Sequence, residues 1–251
     1  MVRKRIIPCL LLQSESLVKT IRFNNPSYIG DAVNTVRIFN ELEVDELILL
    51  DIKATSTKSA PNFEILKNIA SECFMPLAYG GGINSIEQIE QIFKIGFEKV
   101  ILNTAALKNP KLISDASNVF GNQAIVVAID SKRNLFGNHK VYGKNGKIKF
   151  DIDPISWAKK AEDLGAGELI YTSIEREGTW SGYDISTLKK ISDNVNIPVI
   201  ANGGAGSISH LNEAIELTEV SAVAIGSMVV YQQKGMGILI NFPDRNKLNF
   251  E

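Results

Sequence analysis

The sequence contains few of the residues from which metal centres, disulfide frameworks and membrane anchors are built. Among 251 residues there are only two histidines and two cysteines. Cys9 and Cys73 each lie within or beside an apolar run, at a spacing that fits neither a metal site nor a disulfide framework. We therefore expect two reduced thiols and no metal. No apolar run approaches the ~20 residues that cross a bilayer.

A strong net charge is also missing. The formal net charge is −1 and the isoelectric point is near 6.2, so any anion site must be local, and a nucleic-acid partner is not expected. The basic start is followed by an apolar run that Pro8 breaks and that ends at Gln13, with no small-residue cleavage site. This pattern argues against a signal peptide and predicts a cytoplasmic protein without a membrane partner.

Eight short apolar runs alternate with helical patterns along the chain. Most runs are apolar throughout, as expected for strands buried on both faces of a parallel sheet. Eight such units in a chain of 251 residues fit one closed (β/α)8 TIM barrel, an α/β fold, better than an open doubly wound sheet. The predicted strands are Arg5 to Leu12, Glu46 to Ile52, Met75 to Gly80, Lys99 to Asn103, Ala124 to Asp130, Glu168 to Ser173, Pro198 to Asn202 and Ala222 to Gly226.

Helical periodicity fills most of the intervals between these strands. The eighth helix, Gln232 to Ile240, is the weakest because it contains Gly235 and Gly237. The other predicted helices are Asp31 to Leu42, Asn62 to Glu72, Ser85 to Ile95, Pro110 to Val119, Pro154 to Leu164, Ile185 to Ser192 and Ser207 to Leu217.

The chain repeats itself at half its length. The turn Gly81-Gly82 recurs as Gly203-Gly204 at an offset of 122 residues, and the same offset places Ser85 on Ser207. A fixed offset over strand, glycine turn and helix indicates an internal duplication. The single barrel domain is therefore predicted to consist of two repeated (β/α)4 halves, at about residues 1–122 and 123–251.

Two loops are longer than the rest, and each follows the first strand of a predicted half. Gln13 to Gly30 contains Lys19, and Ser131 to Phe150 has a tip rich in glycine, asparagine and lysine. Loops of this length in a compact domain are usually functional or mobile, so we expect lids over the barrel mouth. Solvated hairpin-like excursions without a ligand role are the alternative, and for the second loop both interpretations stay open.

The glycine turns predict two anion cradles. Such turns at strand ends leave backbone N–H groups free and let a ligand oxygen approach the chain closely. Each turn is followed one strand later by a pair of small or polar residues, so a ligand with a phosphate at both ends is expected. The first cradle comprises Gly81, Gly82, Asn103 and Thr104, and the second Gly203, Gly204, Gly226 and Ser227.

Asp130 is the predicted catalytic residue. It ends the fifth strand, and the carboxyl ends of barrel strands are where such enzymes carry out their chemistry. A general acid or base is favoured over a cap of the following loop, because Ser131 and Lys132 already supply polar groups there. Asp51 and Ser173, at the ends of the second and sixth strands, are secondary candidates.

Charged residues begin four of the strands, at the opposite end of the barrel. Two interpretations are open: a salt-bridged ring that only stabilises this lower face, and a gate. The residues are Arg5, Glu46, Lys99 and Glu168.

These stretches together resemble one family. To about residue 230 the chain is similar to the cyclase subunit of imidazole glycerol phosphate synthase, a half-barrel duplication of the histidine pathway. The resemblance rests on the two glycine turns and on Lys4 to Leu10, Leu50 to Ile52, Asn103 to Ala106, Val126 to Asp130, Thr172 to Thr179 and Ser181 to Asp184.

The resemblance implies a role for each of these regions. The family binds a linear bis-phosphate, here implying phosphate contacts that include Gly178 and substrate contacts from Lys19, Asp51 and Ser173. It uses no cofactor, and it takes ammonia from a glutaminase subunit docked under the barrel, through a gate that the four charged residues reproduce. Asp130 matches one of the family's two catalytic aspartates.

Several positions depart from the family. Leu11 stands where the family has its other catalytic aspartate, and leucine cannot transfer a proton. Glu175 and Glu177 replace the usual aspartates beside the second cradle, and Thr20 replaces a glycine. The residues of the gate are unchanged. We therefore expect the family's two-carboxylate cyclisation to be lost.

Three functions remain open. The first is a divergent paralogue of the kind found with surface-polysaccharide genes, which accepts ammonia for converting a sugar acetamido group into an acetamidino group with a separate amidotransferase. The second is an authentic cyclase of histidine biosynthesis that has recruited another acid. The third is a non-catalytic ammonia conduit or scaffold, although such a protein would not need both cradles and Asp130.

Overall fold

The computed structural model describes residues 4–134 and 137–248, and its centre is a closed barrel of eight parallel strands. Parallel pairing runs β1–β4–β5–β6–β7–β10–β11–β12 and returns from β12 to β1. This confirms the predicted TIM barrel. The strands are β1 (Arg5–Gln13), β2 (Ser16–Ile21), β3 (Asn24–Asp31), β4 (Leu47–Asp51), β5 (Leu77–Gly80), β6 (Lys99–Leu102), β7 (Ile125–Arg133), β8 (His139–Gly143), β9 (Ile148–Phe150), β10 (Glu168–Ser173), β11 (Val199–Asn202) and β12 (Ala222–Ile225).

Helices cover the outside of the barrel. Most of the longer ones begin at a polar residue whose side chain accepts a hydrogen bond from a backbone N–H of the first turn, as Asp31, Ser85 and Asp184 do. Such caps fix where a helix starts. The helices are α1 (Ala32–Glu41), α2 (Ala54–Thr57), α3 (Phe63–Ser71), α4 (Ile86–Ile95), α5 (Thr104–Lys108), α6 (Lys111–Phe120), α7 (Pro154–Asp163), α8 (Ile185–Ser192), α9 (Ile208–Leu217) and α10 (Ser227–Val230), with short 3₁₀ turns at Asn122–Ala124 and Arg245–Lys247.

Apolar side chains on the two faces of the strands form two separate cores. Those pointing outwards, such as Leu47 and Val127, pack against the helices, and those pointing inwards, such as Ile7 and Ile170, fill the barrel. Side chains alternate between the two faces of a strand. Because both faces of each barrel strand are buried, the strands appear in the sequence as continuous apolar runs.

Both long loops are antiparallel hairpins. β2 and β3 extend β1, and β8 and β9 extend β7. The expectation of loops is therefore corrected to strands that continue two barrel strands above the mouth. Residues 135 and 136, within the second segment, lie outside the described residues.

The prediction of an eighth helix at Gln232 to Ile240 is wrong. The chain turns back there, and Tyr231 forms an antiparallel bridge with Ile238. Gly235, with φ at +78°, lies in a backbone region that a helix does not use. The helix after β12 is the short α10 instead. Within residues 4–134 and 137–248, the helices are all too short or too polar to cross a membrane.

Candidate functional site

The carboxyl ends of the barrel strands surround a cavity of about 330 Å³. It is called the mouth cavity below. The structure brings together here most of the residues predicted from the sequence, although they come from every part of the chain. Those lining the cavity are Lys19, Asp51, Gly81, Gly82, Asn103, Thr104, Asp130, Gly178, Gly203, Gly204, Gly226 and Ser227.

Ser173 is placed differently. It is buried, and it lines a separate cavity of about 310 Å³ with Arg133, Glu175, Arg176 and Asp184. Ser173 is the last residue of β10. Its predicted contact with the substrate stays a prediction.

The first cradle depends on two glycines. Gly81 and Gly82 have φ angles of +130° and +71°, which other residues rarely adopt. A methyl group on Gly81 would lie 2.5 Å from the carbonyl oxygen of Asp51, and one on Gly82 would lie 2.8 Å from that of Ser59. The bare backbone is thus exposed to the cavity where a side chain could not fit.

Asn103 and Thr104 connect this cradle with Asp130 and the second hairpin. The Nδ2 atom of Asn103 donates a hydrogen bond to Oδ2 of Asp130 at 3.3 Å. The hydroxyl of Thr104 accepts one from the backbone N–H of Lys144 at 2.7 Å. At the hairpin tip, Nδ2 of Asn145 donates to the carbonyl oxygen of Ile52. The hairpin therefore lies against the first cradle.

The second cradle has the same form and carries a cation. A methyl group on Gly204, whose φ is +113°, would collide with the carbonyl oxygen of Gly182. A methyl group on Gly226 would collide with the ammonium of Lys19, which is buried. The ammonium of Lys19 consequently lies at the second cradle, where a phosphate would meet it.

Asp130 has the electrostatic character of a proton-transfer group. Removal of its carboxyl group from water raises its pKa to about 7, with the neighbouring Thr172 hydroxyl opposing the rise and the charge of Glu177 adding to it. A carboxyl group with a pKa near neutrality is present in both protonation states there. It can therefore accept a proton in one step and return it in another.

Leu11 faces the same cavity. It lies near the end of β1, its side chain is 8% exposed, and it pairs with Leu50 of β4. These two apolar side chains form part of the cavity wall. The carboxylates that line the mouth cavity within residues 4–134 and 137–248 are Asp51, Asp130 and Glu177.

Glu177, Lys58 and Lys108 line the mouth cavity but were not predicted as site residues. Glu177 was recognised only as a departure from the family. The two lysines lie in polar stretches, where no motif distinguishes them from a solvated surface. For Lys108 one signal existed, since it follows Thr104 by four residues on a helical stretch.

The four charged residues at the lower face form a closed ring. Nζ of Lys99 lies 2.9 Å from Oε1 of Glu46 and 2.8 Å from Oε2 of Glu168. Arg5 completes the ring, pairing with Glu46 at 2.6 Å and with Glu168. Burial lowers the pKa of Arg5, but the two carboxylates outweigh burial and raise it above its ordinary value. The ring thus closes the lower end of the barrel with paired charges.

Comparison with known proteins gives the chain's relatives. A family model described as histidine biosynthesis protein matches residues 5–235. A protein of Pseudomonas aeruginosa, provisionally named imidazole glycerol phosphate synthase subunit hisF2, is 49% identical over 249 residues, covering 99% of each chain. A provisionally named subunit HisF of Leptospira interrogans is 45% identical over 246 residues, covering 98% of this chain and 97% of its own. The subunit HisF of Alkaliphilus metalliredigens is 40% identical over 233 residues, covering 93% and 92%.

Proposed function

This chain belongs to the histidine biosynthesis protein family, as a HisF-like subunit of the imidazole glycerol phosphate synthase type, and from that premise we propose that it is a divergent, ammonia-accepting synthase subunit. It receives ammonia from a glutaminase subunit and acts on a substrate with a phosphate at each end. The conversion it serves is that of a sugar acetamido group into an acetamidino group, completed by a separate amidotransferase.

One observation carries this proposal: Leu11 and Asp130 line the same cavity between the two cradles. Binding groups for two phosphates and one proton-transfer group are present. A second carboxylate at position 11 is not. Since a general acid or base contributes ~10²–10⁴-fold, a cyclisation that needs two of them is strongly impaired, while phosphate binding is not.

The lower face supports a glutaminase partner. Four large apolar side chains are exposed in the last turn of a helix or just after it, which in a barrel is the side of the lower face: Leu42, Phe74, Val119 and Leu217, of which Phe74 is 87% exposed. Large apolar groups exposed on one side of a protein are typical of protein interfaces. A subunit seated there would deliver ammonia directly to the ring of Arg5, Glu46, Lys99 and Glu168.

A second function, the authentic cyclase, is favoured by one further carboxylate in the mouth cavity. Glu177 lines the mouth cavity, and its charge raises the pKa of Asp130, so the two carboxylates lie close together. In a cyclase, Glu177 would serve as the replacement acid. A non-catalytic conduit has less support, because neither cradle nor Asp130 would have a use in it.

The deciding experiment measures steady-state turnover of the histidine-pathway bis-phosphate with saturating ammonium, for the unmodified protein and for Leu11→Asp. We expect turnover only in the variant, at least 10²-fold above the unmodified protein. Leu11→Asn, which is polar but cannot transfer a proton, is the matched control. Turnover by the unmodified protein at the rate of an ordinary cyclase would overturn the proposal and favour Glu177 as the acid.

A further inference from the structure

A second group of polar side chains lies outside the mouth cavity, where the second hairpin meets β10 and α8. It is called the His139 network below, and hydrogen bonds of 2.8 to 3.2 Å join its members. The side chain of His139 is 16% exposed, and most of its partners are buried. The members are Arg133 and Ser131 of β7, His139 of β8, Tyr171 of β10 and Asp184, the cap of α8.

The two ends of the His139 network fix the direction of every hydrogen bond within it. At one end Nε of Arg133, 3.0 Å from Nε2 of His139, can only donate. At the other end the carboxylate of Asp184 can only accept, from the hydroxyl of Tyr171 at 3.1 Å. The hydroxyl of Ser131 therefore donates to Tyr171 at 2.8 Å and accepts from Nδ1 of His139 at 3.2 Å. The network is complete only with a neutral imidazole whose proton is on Nδ1.

Protonation of His139 breaks the network at its first hydrogen bond. With a proton on Nε2 the ring can no longer accept from Arg133, and two cations then face each other. The new proton points towards the hydroxyl of Thr187 at 3.4 Å and Oδ2 of Asp184 at 3.6 Å. Both distances are longer than those of good hydrogen bonds, so the ring has to move to reach either acceptor.

The surroundings of the ring favour its neutral form. Burial has the largest effect and lowers the pKa of His139. The facing carboxylates raise this pKa and the facing cations lower it, and it lies below its ordinary value. Tyr171 stays protonated, because burial raises its pKa. The charged groups that face the ring come from β7, from α8 and its cap, and from the segment after β10: Arg133, Asp184, Lys190 and Glu175.

The same hairpin reaches the first cradle. From His139, β8 runs back towards the mouth and pairs Tyr142 with Asp130. The carbonyl oxygen of Tyr142 accepts a hydrogen bond from Nδ2 of Asn103 at 3.4 Å, and the N–H of Lys144 donates to Thr104 at 2.7 Å. Since β8 has five residues and begins at His139, one short strand carries both the ring and these cradle contacts.

We propose that His139 is a pH-sensitive anchor of the second hairpin: its neutral ring holds the hairpin against β10 and α8, and its protonation loosens the hairpin and its contacts with the first cradle. The anchor acts whatever substrate the mouth takes. Packing is fully present above the ordinary histidine pKa of ~6.5 and weakens as the pH falls from there towards the lower pKa of the packed ring. The packing equilibrium changes by at most ~10-fold for each unit of pKa difference.

Hydrogen–deuterium exchange of the full-length protein at pH 7.5 and pH 5.5, relative to the unfolded-chain rate at each pH, measures this packing. We expect the amides of residues 139–144 to lose protection by about threefold or more at pH 5.5, while those of β5 keep theirs. The Lys144 amide reports the contact with Thr104. His139→Asn, which can still donate to Ser131 but does not titrate, should show one level of protection at both pH values. His210→Asn, which removes the other histidine, is the control and should respond like the unmodified protein.

An NMR titration of the His139 ring is the second measurement, and the sequence has only two histidines to assign. We expect the ring to titrate below ~6.5, and Arg133→Gln, which removes a facing cation, to raise its pKa. Equal protection of the hairpin at both pH values in the unmodified protein would overturn the proposal. So would a pH dependence that persists in His139→Asn. A ring that titrates above ~6.5 would also overturn it, because the charged pair with Asp184 would then hold the hairpin.

Discussion

The hydroxyl of Thr20 donates a hydrogen bond of 3.0 Å to Oε2 of Glu177, which joins the first hairpin to the segment that follows β10. The backbone N–H of Phe23 donates to the same oxygen at 3.2 Å, and the backbone N–H of Arg22 donates to the carbonyl oxygen of Glu177 at 2.9 Å. These three hydrogen bonds hold the hairpin across the mouth on the side of the second cradle, and Thr20 supplies the one that comes from a side chain.

Loss of this hydroxyl should loosen the hairpin. Thr20→Val removes one of the two hydrogen bonds to a buried carboxylate, and a hydrogen bond to a charged group contributes ~1.5–3 kcal/mol. We expect the amides of residues 16–31 to exchange with deuterium about tenfold faster or more, while those of the barrel strands do not change. Thr20→Ser keeps the hydroxyl and should exchange like the unmodified protein. If the amides of residues 16–31 exchange equally fast in Thr20→Val and in the unmodified protein, the hydrogen bond of the Thr20 hydroxyl does not hold the hairpin in place.

Asp130 should make the stability of the protein depend on pH. Its folded-state pKa, about 7, is higher than in an unfolded chain, ~3.9, so the folded state prefers the protonated carboxyl. The resulting penalty is absent below pH 4, grows as the pH rises towards 7 and is constant above that, by at most ~1.4 kcal/mol per unit of pKa difference.

Urea unfolding at pH 4.5 and pH 8 measures this penalty. Asp130→Asn should be clearly more stable than the unmodified protein at pH 8 and only slightly more stable at pH 4.5. Asp163→Asn, which changes an exposed aspartate of α7, should show no such difference. An asparagine variant that gains the same stability at both pH values would mean that the carboxyl of Asp130 ionises normally.

Asp130 is also expected to carry the chemistry. In a protein made active by Leu11→Asp, the additional change Asp130→Asn should lower turnover by ~10²–10⁴-fold. The affinity for inorganic phosphate should not change, because neither cradle loses a group. Steady-state kinetics and calorimetry on the same samples separate the two effects. Full activity without the carboxyl would assign proton transfer to another group and leave the scaffold function open.

Removing one member of the charged ring should lower the free energy of unfolding of the protein. Lys99→Met leaves Glu46 and Glu168, whose side chains are 5% exposed, with Arg5 as their remaining partner, and removing one member of a buried ion pair costs ~3–5 kcal/mol. We expect a loss of about 2–4 kcal/mol in the free energy of unfolding, since Lys99 itself is partly exposed.

A matched variant distinguishes this cost from the loss of any lysine. Lys94→Met breaks an exposed pair with Glu90 on α4 and should cost less than ~1 kcal/mol. In Lys99→Met/Glu46→Gln one negative charge is removed with its partner, so part of the stability should return. Equal losses for Lys94→Met and Lys99→Met would show that the ring is no more than a surface feature.

The sequence predicts those parts of the fold whose cause is local. Strands such as Ile125 to Asp130 are apolar on both faces, and the turn Gly81-Gly82 needs backbone angles that glycine supplies. The strand β3 could not be predicted in this way. Most of its residues are exposed, and it is extended because β2 pairs with it, which is a tertiary effect that outweighs local propensity.

The same distinction applies to the candidate site: some of its residues could be predicted from local sequence, and others reach it only through tertiary packing. Asp130 and both cradles are adjacent to recognisable strand ends, so their meeting follows from barrel geometry. Lys58 reaches the cavity only because α2 packs on Gly82. The wrong prediction of a helix at Gln232 to Ile240 has a related cause, since its apolar residues gave a pattern while Gly235 and Gly237 allowed the chain to turn.

Because the two cradles are similar, the orientation in which an elongated ligand binds between them has to be set by other residues. An elongated ligand with an anion at each end can enter a mouth with two similar cradles in either of two orientations, and the backbone alone would hardly distinguish one from its reverse. The first strands of the two predicted halves make the two orientations different, because β1 contributes Leu11 to the mouth cavity and β7 contributes Asp130. Reversing such a ligand would place Leu11 instead of the carboxyl of Asp130 beside the same central atom, so we expect only one of the two orientations to be productive.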